Sequence, residues 1–263
     1  MCKRLLCSIA ILSFSLSLMA QSSSAPKNAD IDPAAVAALN KMGTYLRTLG
    51  TFQVKSVQTT DDVLENGQTI QTNGVIELLA ARPNRLRAEI TSDELHRLFF
   101  YDGKNFTIYG QLVNYYATVP APATIGELID KLDEKYGIDM PLVDLFKWGS
   151  QSDSAKDITD AIDAGPSSID GTSCEQYAFR QPGLDWQIWI QLGDYPLPRK
   201  LVLTTTDNSA RPRHSQLLTW NLAPSFNDAA FTFDPPDGAQ KIAIAEIKDW
   251  ANDQSQTKTG SSK

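Results

Sequence analysis

The chain has 263 residues, of which 42% are hydrophobic and 21% are charged, and its formal net charge is −7. This length suggests one large domain or two small ones. The cationic residues are scattered along the sequence rather than concentrated in one stretch, so we expect no nucleic-acid partner.

The amino-terminal residues have the layout of a secretory signal peptide. Two basic residues precede an apolar run from Leu5 to Met19. A run of about 15 residues is short for a membrane span, which favours a signal peptide. We therefore predict a signal peptide at residues 1–20, cleaved after Ala20 or within the small-residue run that ends at Ala25. The alternative is a buried amino-terminal helix.

The remaining chain is expected in the periplasm of a Gram-negative cell, without a stable membrane span. No later stretch approaches about 18 consecutive apolar residues. A lipoprotein signal would need a cysteine just after the apolar run, whereas Cys2 and Cys7 lie before or inside it, so we expect no lipid anchor. Cys174 then remains alone, and we interpret it as a buried small hydrophobe that forms no intramolecular disulfide.

A single domain is predicted over residues 32–248, between a flexible leader at 21–31 and a disordered tail at 249–263. It begins with a helix, because Asp32 suits the N-cap and Pro33 suits the first helical position. Apolar residues then recur at helical spacing, which predicts one core-facing stripe made of Val36, Leu39, Met42, Leu46 and Leu49.

From Thr51 the hydrophobic pattern alternates with a period of two, which indicates strands. About six strands follow one another, separated by turn residues such as Asn66-Gly67. Asp102-Gly103 predicts a further hairpin turn, in which Phe99 would pair with Phe106.

Helices are predicted in the middle of the chain. Thr124 and Glu127 have the spacing of a capping box, and the apolar stripe after them stops at Gly137. A short helix is expected from Pro141, and a weaker helical stretch over residues 155–164. About five more strands follow.

This order of elements predicts an α+β fold dominated by antiparallel strands. About eleven strands joined by short turns would curl into an unclosed half-barrel. The amphipathic helices would cover its concave face. A closed barrel with a hollow centre is the competing architecture.

Several motifs resemble those of the family of predicted periplasmic proteins called DUF2092. The similarity spans roughly residues 32–245 and depends on the order of the motifs, since none contains a metal site or a nucleophile. The motifs are YDGK (101–104), NYYA (114–117), PAP (120–122), MPLVDLF (140–146), WQIWI (186–190), LPRKLV (197–202) and FTFDPPDGA (231–239).

That family is similar to the superfamily of the lipoprotein carriers LolA and LolB, the lipoprotein LppX and the sensor RseB. The resemblance implies an open antiparallel barrel with helices across its concave face. It also implies a hydrophobic cavity between sheet and helices, which relatives use for acyl chains or lipids. It transfers no individual binding residue to this chain.

The sequence shows no signature of a catalytic or metal site. Its two histidines, His96 and His214, are far apart and match no metal-binding or triad spacing. We therefore predict a protein that is not an enzyme and that needs no cofactor. An uncharacterised hydrolase is the alternative.

Alternation along the strands places large apolar side chains on one face, which we predict to be the concave face. Burying an acyl chain there contributes roughly 0.8 kcal/mol per methylene, so a binding site needs no polar motif. The alternative is that these residues are ordinary core beneath the helices. The predicted hydrophobic ligand-binding residues are Phe99, Phe106, Ile108, Trp186, Ile188, Ile190, Leu201, Leu203 and Trp220.

The leading hypothesis is a non-enzymatic periplasmic carrier or sensor for a hydrophobic ligand. Its partners would be a lipid, a fatty acyl chain or a lipoprotein tail, and an envelope protein. The alternative is a protein-interaction or regulatory module whose core is filled by its own helices.

Overall fold

The computed structural model describes residues 31–149 and 157–247. The predicted signal peptide, the leader up to residue 30 and the predicted tail lie outside the described residues. Within the described ranges the chain forms three α-helices and one sheet of twelve strands.

Helix α1 spans Pro33–Thr48 and begins where the sequence predicts. The Asp32 carboxylate accepts a hydrogen bond from the backbone N–H of Ala34 at 2.8 Å and so satisfies one of the free donors of the first turn. Of the predicted stripe, Leu39, Met42 and Leu46 are buried, whereas Val36 and Leu49 are partly buried.

Helices α2 and α3 follow β6. Helix α2 spans Ile125–Tyr136, and Thr124 and Glu127 form both hydrogen bonds of the predicted capping box. The short helix α3 spans Asp144–Lys147, and a turn rather than a helix occupies the positions from Pro141 to residue 143.

The strands form one unclosed sheet, in the order β12-β6-β5-β4-β3-β2-β1-β11-β10-β9-β8-β7. Neighbours pair in antiparallel fashion, except that β12 runs parallel to β6. This confirms the predicted fold class, with the short β12 as an additional strand. The strands are β1 (Thr51–Val63), β2 (Thr69–Ala81), β3 (Arg85–Ser92), β4 (His96–Tyr101), β5 (Asn105–Gly110), β6 (Tyr115–Pro120), β7 (Asp160–Ile169), β8 (Thr172–Gln181), β9 (Leu184–Gln191), β10 (Pro198–Thr205), β11 (Arg213–Asn221) and β12 (Gln240–Lys241).

The turn between β4 and β5 lies one residue later than the sequence predicts. The Asp102 carboxylate accepts hydrogen bonds from the backbone N–H groups of Lys104 at 2.8 Å and Asn105 at 2.7 Å. Gly103, with φ of +87°, therefore takes the first of the two central turn positions.

The later turn changes the register of the hairpin. Phe99 pairs with Ile108, and Phe106 pairs with Tyr101, so the predicted pairing of Phe99 with Phe106 is wrong. Both rings still lie on the same face of the sheet, as diagonal neighbours with centroids 6.0 Å apart.

The weaker helix predicted over residues 155–164 is also wrong where the structure describes it. Residues from Asp160 onward belong to β7, which pairs with β8 from Asp160 to Ile169 with one register shift between Asp163 and Gly165. Ile158 and Ala161 are buried at a three-residue spacing that resembles a helical stripe. Pairing with a neighbouring strand overrides that local pattern.

The concave face carries two hydrophobic clusters. The first packs α2 and α3 against β1 to β5, and the second packs α1 against β7 to β10. Four partly buried residues contact both clusters, and we call them the seam residues: Leu49, Trp148, Trp220 and Leu222.

After β11 the chain crosses the outer, convex face of the sheet to reach β12. We call residues 223–239 the outer strap. The ring of Phe233 lies between those of Phe100, Tyr109 and Tyr116, with centroid distances of 5.4, 5.3 and 5.1 Å. Phe231 is 1% exposed. The strap therefore gives the convex side a small aromatic core of its own.

Candidate ligand-binding face

The nine predicted binding residues all lie on the concave face, but the structure divides them between the two clusters. Phe99, Phe106 and Ile108 belong to or border the first cluster. The second cluster contains Trp186, Ile188, Ile190 and Leu201, with Leu203 at its border. Trp220 contacts both clusters, so the two groups meet at the seam.

The helices themselves cover these residues. Helix α1 places Leu39, Met42 and Leu46 on the second cluster, and helix α2 places Leu128 and Leu132 on the first. Six of the nine predicted residues are therefore buried, with Phe99, Phe106 and Ile188 at 0% exposure. The other three, Ile108, Leu203 and Trp220, are partly buried.

Helix α1 is attached to the rest of the protein by hydrogen bonds near its two ends. The backbone N–H of Asp32 donates to the carbonyl oxygen of Ala161 at 3.0 Å. At the other end, the Arg47 guanidinium donates to the carbonyl oxygen of Trp148 at 3.1 Å. Between these ends the buried side chains of α1 are apolar, and apolar contacts have no directional requirement.

The concave face becomes polar beyond the first cluster. Here His214 of β11 lies between Thr60 and Gln216, with Nδ1 2.8 Å from the Thr60 Oγ1 and Nε2 3.0 Å from the Gln216 amide nitrogen. A neutral ring satisfies both contacts if Nδ1–H donates and Nε2 accepts. Burial lowers the pKa of His214, which also favours the neutral form.

The polar end borders a depression of about 300 Å³, lined by residues that include Gln58, Thr72 and Ser92. A second depression, of about 440 Å³, lies beside α1, where Tyr45 and Pro196 contribute to an apolar lining. A third, of about 680 Å³, follows the charged outer side of α2. The nine predicted residues line none of these three depressions.

Residues of the metal-binding types are scattered in the part of the chain that the structure describes. Between residues 31 and 149 and between 157 and 247, no three His, Cys, Asp or Glu residues are placed to hold a metal ion. His96 pairs instead with Glu89 on the convex face, at 2.8 Å. In the same two ranges, no helix has both the length and the apolarity needed to cross a membrane.

Residues 35–245 match the family described as "Predicted periplasmic protein (DUF2092)". The chain belongs to this family. The match confirms the resemblance seen in the sequence motifs, and the family description agrees with the predicted periplasmic location. No curated protein sequence matches the chain.

The chain is also similar to solved structures at low sequence identity. An uncharacterised conserved protein from Thermus thermophilus is 12% identical, with a TM-score of 0.47, covering 80% of this chain and 99% of the other. The lipoprotein LppX from Mycobacterium tuberculosis is 15% identical, with a TM-score of 0.45, covering 74% and 100%. A LolA superfamily protein from Nitrosomonas europaea is 10% identical, with a TM-score of 0.35, covering 76% and 97%.

Proposed function

We propose that this protein is a non-enzymatic periplasmic carrier or sensor that binds the acyl chain of a lipid or lipoprotein against the concave face of its sheet. The observation that supports the proposal is the apolar inner face of an open sheet, covered by a helix that apolar burial holds in place between its ends. An envelope protein would deliver or receive the ligand.

An acyl chain can replace helix side chains on this face because the energies are of the same order. Burying Leu39, Met42 and Leu46 contributes about 5–9 kcal/mol in total. An acyl chain of about 12 methylenes contributes about 10 kcal/mol. The exchange is therefore nearly balanced, and a modest shift of α1 would admit the ligand to the second cluster.

Helix α1 is the element that we propose to move. Moving it breaks the hydrogen bonds from Asp32 to Ala161 and from Arg47 to Trp148, both at its ends. Helix α2 is held at its middle as well as at its start, because the backbone N–H of Ile125 donates to the Pro83 carbonyl and Lys131 donates to the Pro120 carbonyl.

A second candidate function is a protein-interaction module whose core is permanently filled. The observation that favours it is the complete burial of predicted binding residues such as Phe99 and Ile188 by the helices. In that version α1 stays in place, and partners contact the outer surfaces of the helices.

A ligand-binding assay separates the two functions. The protein is purified gently from the periplasm and examined by native mass spectrometry, and the delipidated protein is then titrated with a dansyl-labelled fatty acid. We expect a co-purified lipid and saturable binding that unlabelled fatty acid reverses. A protein that is empty in the mass spectrum and binds no labelled fatty acid would contradict the carrier or sensor function and favour the filled module.

A further inference from the structure

Two guanidinium nitrogens of the half-buried residue Arg82 are buried without a hydrogen-bond partner. Its Nε and one of its terminal guanidinium nitrogens are inaccessible to solvent and donate no hydrogen bond. The backbone holds the residue in position, because the Arg82 N–H donates to the carbonyl oxygen of Gly50 at 2.7 Å. Arg82 takes part in none of the ion pairs found among the described residues.

Such an arrangement is unfavourable unless something else satisfies the guanidinium. A buried charge without a partner loses its hydration, and each unsatisfied donor adds to the loss. The Phe146 ring lies 5.1 Å from the guanidinium carbon and gives a cation–π contact. That contact does not accept the in-plane N–H groups of the guanidinium.

A second cation lies near the first. Burial lowers the pKa of Arg82, and the charge of Arg47 lowers it further. Arg47 is better satisfied, since it donates to the carbonyl oxygen of Trp148 at 3.1 Å and to the Thr44 hydroxyl at 3.2 Å. It also lies in the last turn of α1, where the helix dipole favours a cation.

The two arginines lie close to α3, with Arg47 in the last turn of α1 and Arg82 directly after the end of β2. Arg47 contacts Trp148, and Arg82 contacts Phe146, so both are beside the seam between the two clusters. An anionic group bound here would have an acyl chain attached to it directly above the apolar face.

We propose that Arg82, with Arg47 beside it, binds the carboxylate or phosphate headgroup of an amphiphile whose acyl chain lies along the seam. The inference rests on the proposed function and specifies its ligand class. A guanidinium presents parallel N–H donors to the two oxygens of such a group, which satisfies the donors that the chain leaves free. The protein therefore selects anionic over neutral amphiphiles.

The test compares ligands that share one chain length and differ in headgroup. The purified protein is loaded with the neutral dye N-phenyl-naphthylamine and titrated separately with dodecanoate, dodecyl phosphate and the neutral dodecanol. Displacement of the dye measures the affinity of each ligand. Inorganic phosphate alone is titrated in the same way. We expect both anions to bind about tenfold or more tightly than dodecanol, because a hydrogen bond to a charged group is stronger than a neutral one. Tighter binding of dodecanoate or of dodecyl phosphate identifies whether the site prefers a carboxylate or a phosphate headgroup.

Arg82→Met should abolish this preference while leaving the affinity for dodecanol unchanged. The matched control is Arg87→Met, because Arg87 also lies over a phenylalanine ring, at 5.5 Å from the centroid of Phe100, but on the convex face with Glu89 as its partner. The control should keep the preference. Unliganded Arg82→Met should be at least as stable as the parent protein, since it removes two buried donors that have no hydrogen-bond partner.

The outcomes separate this inference from the function on which it rests. If none of the amphiphiles binds, the proposed function fails. If dodecanol and dodecanoate bind equally well, or if Arg82→Met keeps the preference, only the headgroup site fails. A loss of stability in unliganded Arg82→Met would show that the unliganded protein already satisfies the guanidinium and would overturn the inference.

Discussion

The ring of Trp220 lies 5.6 Å from the ring of Phe52, and this pair joins the two hydrophobic clusters of the concave face. The Trp220 indole N–H donates to the carbonyl oxygen of Pro198 at 2.8 Å, which ties the same ring to β10. Trp220 is therefore fixed to both halves of the sheet, and a ligand along the seam would contact a ring of defined orientation.

Leu203→Asn should weaken fatty-acid binding about tenfold, because an amide on the concave face must be desolvated by an apolar ligand. Val202→Asn is the matched control, since Val202 is the adjacent, equally half-buried residue of β10 on the convex face. Titration with a dansyl-labelled fatty acid measures both variants. Equal losses of affinity in the two variants would show that the ligand does not use the concave face.

Phe231→Ala should lower the free energy of unfolding by about 3–5 kcal/mol, because it empties a fully buried site beneath the outer strap. Phe226→Ala provides the control. Phe226 contacts the Phe231 ring at 5.2 Å but is 37% exposed, so its loss should cost about 1 kcal/mol. Urea denaturation measures both values. A small effect of Phe231→Ala would mean that the strap contributes little to stability.

Stability should fall as the pH decreases through the ordinary histidine range, because of His214. Burial lowers its pKa in the folded protein, so below about pH 6.5 the unfolded state binds more protons than the folded state. His214→Gln should reduce the loss of unfolding free energy between about pH 7.5 and about pH 5.5. Urea titrations of the two proteins at both pH values measure it, and an unchanged loss in His214→Gln would assign the pH dependence to other groups.

Cys174 should not react with thiol reagents while the protein is folded. Its side chain is 0% exposed, its thiol donates to the carbonyl oxygen of Thr172 at 3.4 Å, and burial raises its pKa. Alkylation followed by mass spectrometry should modify Cys174 only in denaturant. Ser173→Cys, at the exposed neighbouring position of β8, should react in the folded state. Rapid modification of Cys174 itself would contradict the interpretation of this residue as a buried hydrophobe.

Local sequence signals predict the elements that local interactions define. Asp32 and Pro33 mark the start of α1, and Thr124 and Glu127 mark the start of α2, because a cap forms between residues a few positions apart. The alternation of Trp186 and Ile188 likewise places both on the inner face, since side chains in a strand alternate between two faces.

One side-chain interaction within a turn and several long-range contacts explain what the sequence does not predict. The register of β4 and β5 depends on one side chain, Asp102, which accepts two backbone N–H groups and shifts the turn by one residue. The sites of Phe233 and Arg82 depend on residues far away in sequence, on the convex face and in α3 respectively. Arg82 lies in no periodic pattern or motif, and the motif that contains Phe233 does not show where its ring packs.

The position of β11 between β1 and β10 has a consequence for how the chain folds. Thr60 of β1 meets His214 of β11 across 154 residues of sequence. During synthesis from the amino end, the edge of β1 that pairs with β11 therefore stays unpaired until nearly all of the chain has been made. Unpaired strand edges of this kind attract other chains, and pairings that close such large loops form slowly. We therefore expect refolding at high protein concentration to compete with aggregation, and holdase chaperones to raise its yield.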